Sequence, residues 1–287
     1  MELILNELSV QDLAGTPDDA RQAMNALLLL CKKAKDDMGC NGLRLPNADF
    51  FNQELVAGYT LIDWMTEPAG NRTLQTLFNG LRRLPYFEDL EEAAENEYIL
   101  SKFYLNEPEH PAFDTEVHGL ANAWLKRSLS VSFCSHPVWS KCQIGLTIDR
   151  NEAGTEDVEV YHACADACLN EDFKEWFRKE HLPPLRTHED VDVWFPVEQY
   201  NLTDQAKDDL ILMYEENLHK LIGEIESMIK EIQIDPMKGT GKPKTLKGDL
   251  AGWMSRRVTD KHRLVYNYKP KENVLEIYRC YDHYDDK

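Results

Sequence analysis

No apolar run in this 287-residue chain approaches the ~18 residues of a membrane-spanning helix, so no membrane association is expected. The opening MELILNELSV has early acids and no basic segment, which is unlike a secretory signal. Repeats and low-complexity tracts are also missing. Hydrophobic residues make up 43% of the chain, a share that supports a packed core and argues against disorder. The composition therefore predicts a soluble, cytoplasmic protein.

Cysteines are few, odd in number and scattered along the chain. They are Cys31, Cys40, Cys134, Cys142, Cys164, Cys168 and Cys280. This pattern suits a reducing cytosol better than a disulfide framework. We therefore predict no disulfide framework.

The stretch HACADACLNEDFKEWFRKEH and the residues just after it carry metal-capable side chains, namely His162, Cys164, Cys168, His181 and His188. Its spacing matches no common zinc template, and a core strand and helix with buried cysteines explain it better. In FCSHPVWSKC, the neighbours Ser135 and His136 are types used in nucleophilic catalysis, but a strand that runs into a proline turn accounts for them. We predict no metal site and no cofactor.

Charge is unevenly distributed along the chain, whose formal net charge is −19. Residues 1–198 carry 17 Lys and Arg against 35 Asp and Glu, a net charge of −18, whereas residues 199–287 are nearly neutral. Within the latter, residues 238–263 hold eight cations and two acids. An acidic body followed by a locally basic module suggests two domains. A dense cationic patch implies a phosphate-bearing ligand.

The pattern of apolar residues predicts an acidic mixed α/β domain over residues 1–190, of unknown fold, and a second domain over residues 191–287. The joint is HLPPLRTHEDVDVWFP, which is rich in proline and charge. In the first domain, Thr16 is the predicted N-cap of a helix that stops near Gly39. The first domain is expected to sense a signal or to regulate the second.

The second domain is predicted to be α+β. A helical period over residues 205–232 is followed by strand candidates at 252–258, 262–269 and 274–281. The polar EENLH leaves open whether the helical segment is one helix or two antiparallel ones. PKEN reads as a hairpin-like loop between the last two strands. Helices followed by an antiparallel meander give a compact layer of helix on sheet.

The basic stretch GKPKTLKGDLAGWMSRRVTDKHRLVYNY is followed near the end of the chain by a His-Tyr pair. Cleavage of RNA by its own 2′-OH needs a base, cations for the phosphorane charge and an acid for the 5′-oxygen. His283 can be that acid near neutral pH, and Tyr284 can stack on a base or donate to phosphate. A charge run is more often a solvated surface, but here the cations converge within an acidic chain and precede the His-Tyr pair.

Residues 199–287 resemble the YoeB/Txe toxins of the RelE superfamily of ribosome-dependent mRNA interferases. The resemblance is carried by GTGKPKTLK, by LAGWMSRRVTDKHRLVY, by a penultimate strand ending in Cys and by the His-Tyr pair. It covers about a third of the chain. It implies a helical hairpin on an antiparallel sheet. It also implies mRNA on the ribosome as substrate and an acidic antitoxin as partner, either separate or fused. Homo-oligomer formation stays open.

The resemblance assigns roles to individual positions. His283 is the implied general acid, and Arg257, Arg263 and Lys247 are the implied phosphate and transition-state ligands. Tyr284 is implied to position the substrate. We also expect Lys242 and Arg256 to bind RNA phosphate, although adjacent strand residues such as Arg256 and Arg257 point to opposite faces.

Two departures from the family pattern bear on activity. Lys244 stands where the family has a glutamate as the general base, and a lysine at its ordinary pKa of ~10.4 is a poor base. Cationic neighbours can make a lysine usable. Asp285, Asp286 and Lys287 also follow the His-Tyr pair that normally ends the chain.

Three functions fit these observations. In the first, the chain is an effector whose N-terminal domain senses a signal, such as phage infection, and releases an mRNA interferase. In the second, the toxin-like fold is disarmed or permanently self-inhibited and serves as a binding module. In the third, the N-terminal domain is the enzyme and the toxin-like fold positions it. We favour them in that order.

Overall fold

The computed structural model describes residues 1–68, 70–197, 200–269 and 274–282. The chain divides into two compact units, an N-terminal unit over Met1–Asn170 and a C-terminal unit over Glu171–Lys287. We predicted a boundary after residue 190, whereas residues 171–190 fall in the C-terminal unit. Within the described residues, no helix is both long and apolar enough to cross a bilayer.

The N-terminal unit is built on a mixed sheet. Its strands are β1 (Glu2–Leu5), β2 (Gly42–Arg44), β5 (Arg82–Arg83), β6 (Lys102–Leu105), β7 (Leu129–Val131), β8 (Gln143–Asp149) and β9 (Thr155–Ala163). In the described part of the chain these seven strands have the order β5-β2-β1-β7-β9-β8-β6. Pairing is parallel from β5 to β9 and antiparallel from β9 through β8 to β6. The short strands β3 (Glu54–Val56) and β4 (Tyr59–Thr60) form a separate hairpin.

The helices of this unit are α1 (Leu8–Gln11), α2 (Pro17–Met38), α3 (Leu61–Thr66), α4 (Arg72–Leu81), α5 (Glu92–Leu100) and α6 (His118–Leu125). Short 3-10 helices cover Ala48–Asn52, Pro137–Ser140, Asn151–Ala153 and Asp166–Cys168. The predicted start of α2 is confirmed. Thr16 and Asp19 form a reciprocal capping box, and Gly39 ends the helix in the left-handed region at φ 68°.

Four cysteines of the N-terminal unit are paired, contrary to our expectation. Cys134 is bonded to Cys164, and Cys142 to Cys168, while Cys31, Cys40 and Cys280 are free and buried. The pairing follows from the sheet, because β7 runs parallel to β9 with Val131 opposite Ala163. Residues just past the two strand ends are therefore neighbours, although 30 residues separate Cys134 from Cys164.

Three of the metal-capable side chains, those of His162, Cys164 and Cys168, are engaged in other interactions. Cys164 and Cys168 are in the disulfides, and His162 is fully buried between the Ser132 hydroxyl and the carbonyl of Lys141. Burial lowers the pKa of His162 to about 4, against the hydrogen bond to Lys141. His162 is thus a neutral core residue whose two ring nitrogens join neighbouring strands.

The C-terminal unit contains helices α7 (Glu171–His181), α8 (His188–Trp194), α9 (Asp204–Glu215) and α10 (His219–Ile234). Its strands are β10 (Asn201–Leu202), β11 (Lys244–Thr245), β12 (Met254–Arg257), β13 (Arg263–Lys269) and β14 (Val274–Arg279), and a 3-10 helix covers Gly248–Leu250. EENLH does divide the helical segment, with Asn217 in the left-handed region at φ 59°. The three predicted strands appear as β12, β13 and β14, whereas β10 and β11 were not foreseen.

In the described residues the five strands have the order β10-β14-β13-β12-β11. All neighbours are antiparallel except β10 and β14, which are parallel. One face of the sheet packs on the helices, where Leu264, Tyr266 and Ile277 share a buried core with Ile222 and Ile229. PKEN, residues 270–273, lies outside the described residues. The packed face leaves the opposite face of β11, β12 and β13 for other contacts.

Candidate functional site

Three cations lie on the face of the C-terminal sheet that does not pack on the helices. Arg257 on β12 is directly opposite Arg263 on β13, and Lys244 on β11 is opposite Ser255, two residues before Arg257. Directly opposed residues, and residues two apart on one strand, share a face. Lys244, Arg257 and Arg263 therefore lie on one face, which we call the cationic face.

Arg263 is held by the turn between β12 and β13. Its Nη1 donates to the carbonyl oxygens of Thr259, Asp260 and His262, the last at 3.0 Å. Its Nε and Nη2 have no hydrogen-bond partner among the residues that the structure describes. A guanidinium anchored through one nitrogen and open on two others is oriented to receive an anion in the bidentate manner.

Arg257 has a weaker attachment. Its Nη1 lies 3.4 Å from Oδ1 of Asp260, whose side chain is fully exposed, and the Arg257 side chain is itself 50% exposed. Exposed ion pairs contribute only about 0–1 kcal/mol. The guanidinium of Arg257 can therefore exchange Asp260 for a phosphate at little cost.

The glycine-rich start of the basic stretch packs against the backbone of Arg257. The N–H of Arg257 donates to the carbonyl of Gly241 at 2.7 Å. A Cβ on Gly241 would sit 2.5 Å from the Arg257 carbonyl oxygen, and Gly241 has φ 82°, in the left-handed region. The GTGK motif is thus explained by close backbone approach, which brings Lys242 and Lys244 toward the same strand.

The ammonium groups of Lys242, Lys244 and Lys247 are exposed, and within the described residues they make no ion pair or hydrogen bond. Lys242 has φ 51°, and Lys247 precedes the 3-10 helix at Gly248. These three cations are available to a ligand.

A small apolar cluster lies on the same side of the sheet. Leu246 and Val265 are buried beneath Leu250, Trp253 and Tyr278, and the rings of Trp253 and Tyr278 are 5.3 Å apart. We did not foresee this aromatic pair beside the cations. Strand alternation was the available signal, because Val265 is two residues after Arg263.

The family model described as "YoeB-like toxin of bacterial type II toxin-antitoxin system" matches residues 202–284. Toxin YoeB of Streptomyces coelicolor is 48% identical over 69 residues, which are 24% of this chain and 80% of that toxin. Toxin YoeB of Escherichia coli K12 is 37% identical over 82 residues, 29% of this chain and 94% of that toxin. The C-terminal region belongs to the YoeB toxin family.

A solved YoeB-YefM complex from Staphylococcus aureus contains a chain that is 34% identical and covers 30% of this chain and 95% of its own, with a TM-score of 0.27. The N-terminal part of this chain has no recognised family.

Within the YoeB region, Arg256 does not have the position we expected. It is fully buried, its Nη1 is 2.7 Å from Oε2 of Glu231, and its Nη2 donates to the carbonyls of Asp235 and Lys238. Burial tends to raise the pKa of Glu231, but hydrogen bonds from Thr240 and the charge of Arg256 lower it overall. Alternation turns Arg256 toward the helices, so it is a structural arginine in this fold and is not placed to bind RNA.

His283 and Tyr284, the two remaining predicted site residues, lie outside the described residues, as do Asp285, Asp286 and Lys287. The structure thus brings together Lys244, Arg257 and Arg263 and separates Arg256 from them.

Proposed function

We propose that the YoeB region is an mRNA interferase that cleaves mRNA on the ribosome, and that the N-terminal unit controls it. The observation that carries this proposal is the pair Arg257–Arg263, opposed on an open sheet face beside Lys244. Two guanidiniums and an ammonium can bind the scissile phosphate and stabilise the charge of the phosphorane. His283 would protonate the 5′-oxygen, and Tyr284 would position the RNA.

Lys244 is the residue proposed to take the proton of the 2′-OH. It stands where the resemblance places a glutamate, and it is exposed on the cationic face. The lysine at position 244, in place of a glutamate, is also the observation that favours the second candidate function. In that function a disarmed toxin fold binds RNA or a partner without cleaving. No cofactor enters either proposal.

We propose an acidic partner for the cationic face. The net charge of −18 over residues 1–198 contrasts with eight cations and two acids in residues 238–263. Acidic groups, from the N-terminal region or from a separate antitoxin, would occupy the place of RNA phosphates until a signal, such as phage infection, removes them. Such an association is screened over ~8 Å at physiological salt.

The test compares the full-length chain with residues 171–287 in a translation-coupled mRNA cleavage assay across a salt series. We expect residues 171–287 to cleave mRNA. Arg263→Ala should abolish this cleavage, and Lys269→Ala should keep it. Lys269 is an exposed cation at the other end of the same strand, so it is a matched control. Binding without cleavage by residues 171–287 would favour the disarmed module. Equal ribosome binding by both proteins at every salt concentration would contradict masking by the acidic region.

A further inference from the structure

The end of β14 is bound by a buried carboxylate of helix α9. Oδ2 of Asp209 accepts hydrogen bonds from the backbone N–H groups of Cys280, at 2.7 Å, and Tyr281, at 3.0 Å. Its Oδ1 accepts from Nε2 of Gln205 at 2.9 Å. Asp209 is only 4% exposed. Hydrogen bonds to an ionised acceptor are roughly twice as strong as neutral ones, so Asp209 fixes the backbone direction at this strand end.

The backbone N–H of the next residue, Asp282, is bound by a different element, the turn between β12 and β13. His262, in the turn between β12 and β13, is buried, and its Nδ1 accepts from the N–H of Asp282 at 3.0 Å. The N–H of His262 is itself held by the Thr259 hydroxyl at 3.0 Å. An accepting Nδ1 means that neutral His262 carries its proton on Nε2. The turn that orients Arg263 therefore also binds the chain beyond β14.

Tyr281 is bound through its side chain as well. Its hydroxyl donates to the carboxylate of Glu216 at 2.8 Å, and Lys261 lies 5.2 Å from the centre of its ring. Asp282 has φ 59°, a conformation that a non-glycine residue keeps when its surroundings determine it. Three consecutive residues, Cys280 to Asp282, are thus held by two separate elements.

We propose that Asp209 and His262 are positioning residues for RNA cleavage, which hold the backbone of Cys280 to Asp282, the residues that directly precede the proposed general acid His283 in the sequence. This inference rests on the proposed function. Neither Asp209 nor His262 is proposed to touch RNA. A misplacement of about 1 Å at a reacting group can lower the rate ~10²-fold, so the direction of the chain at Asp282 matters even though His283 is outside the described residues.

The pH dependence follows from the same contact. A protonated His262 carries a hydrogen on Nδ1 and cannot accept from the N–H of Asp282. Burial lowers the pKa of His262 and Lys261 lowers it further, while the carboxylates of Asp282, Glu216 and Asp209 act in the opposite direction. The positioning contact is therefore present at neutral pH and is lost on the acid side of 6.5, the ordinary histidine value.

Amide hydrogen exchange in the full-length chain tests the anchor without relying on activity. We expect the amides of Cys280 and Tyr281 to exchange at least ~10-fold faster in Asp209→Ala, because each loses its acceptor. Asp209→Asn keeps an oxygen at that position and should retain most of the protection. Asp208→Ala is the matched control, since neighbouring Asp208 is exposed and binds only His188 in the described residues. Unchanged exchange at Cys280 and Tyr281 in Asp209→Ala would overturn the proposal.

Cleavage kinetics of the same full-length variants, measured at a salt concentration that screens the acidic groups from the cationic face, test the positioning role. We expect Asp209→Ala to lower kcat ~10–10²-fold with KM nearly unchanged, and Asp209→Asn to recover most of kcat. His262→Asn keeps an acceptor near the Nδ1 position and should retain most of kcat, as should Asp208→Ala. Wild-type kcat in Asp209→Ala would overturn the positioning role.

Two further outcomes separate the explanations. A general loss of protection that includes Leu264 and Tyr266, in both the Ala and Asn variants, would mean a purely structural role and overturn the proposal. A wild-type chain and residues 171–287 that both fail to cleave would refute the proposed function, whereas the exchange at Cys280 and Tyr281 would still decide whether the anchor exists.

Discussion

The two sheets of this chain use polar side chains in opposite ways. In the N-terminal unit, His162, Ser132 and Asn6 bond to one another inside the sheet, where they join β1, β7 and β9. In the C-terminal unit, Arg257 and Arg263 lie on an open face. A buried polar network stabilises one arrangement of the strands. Cations on a rigid sheet that keep donors without a hydrogen-bond partner are suited to bind an external anion. The comparison favours the C-terminal unit as the place of the proposed chemistry.

The same contrast occurs between adjacent residues of β12. Arg256 is bound through its two terminal nitrogens by Glu231 and by carbonyl groups inside the fold, and Arg257 has one exposed and weak partner. Both belong to the same SRR motif. The motif alone therefore does not separate a residue needed for folding from one available for binding, whereas the face of the strand does.

The largest effect is expected on stability from Arg256→Ala. The change removes the charged partner of the Glu231 carboxylate, leaves the carbonyl groups of Asp235 and Lys238 without this donor and opens a cavity, so the free energy of unfolding should fall by about 3 kcal/mol. Arg257→Ala, as control, should change it by less than about 1 kcal/mol. Urea denaturation of the C-terminal unit measures both. Equal losses in the two variants would contradict the distinction between the neighbours.

The next largest effect concerns cleavage by the cationic face. Arg263→Ala and Arg257→Ala should each lower the rate of mRNA cleavage ~10²–10³-fold, as the loss of one aimed donor typically does. The folded fraction, followed by circular dichroism, should remain that of the wild type. Lys269→Ala should cleave at the wild-type rate. Full activity in both arginine variants would remove the cationic face from the reaction.

A third prediction tests the closed network of the N-terminal unit by pH. Because the pKa of folded His162 is about 4 and that of an unfolded histidine is ~6.5, the unfolded chain binds the extra proton between these values. Stability should therefore fall as pH drops through this window, by about 3 kcal/mol in total. The measurement is denaturant unfolding from pH 7 to 4. His162→Gln should flatten the dependence, because glutamine does not titrate.

The smallest effect is expected from Lys244→Glu, which restores the residue type that the resemblance implies for the general base. Cleavage should rise, by less than the ~10² that a fully missing base costs, because the lysine supplies part of that role. Stability should change by less than ~0.5 kcal/mol, since the side chain is exposed. A decrease in cleavage would show that the positive charge of Lys244 is itself required.

Local rules predicted those parts of the fold that depend on neighbouring residues. The capping box at Thr16, the stop at Gly39 and the strands β12 to β14 follow from side chains close in sequence. The Cys134–Cys164 disulfide depends on parallel pairing between segments 30 residues apart, which periodicity cannot reveal. The two-residue strands β10 and β11 are too short to show an alternation.

The candidate site shows the same limit. Ordered motif matches identified Arg257, Arg263 and Lys244, whose common face then follows from strand register. The burial of Arg256 depends on Glu231, 25 residues away on a helix, and Asp209 binds amides more than 70 residues away. Such partners become visible only when the helices are packed on the sheet.

The parallel pairing of β10 with β14 has a mechanical consequence. Asn201 lies opposite Glu276 and Leu202 opposite Ile277, and Thr203 extends the contact through its N–H to Ile277 and its hydroxyl to Tyr278. The first strand of the YoeB region, β10, is therefore hydrogen-bonded to its last strand, β14. Tension applied to the segment before Asn201 would act in shear on only a few backbone hydrogen bonds. The force would pass to β14, the strand that precedes the last residues of the chain.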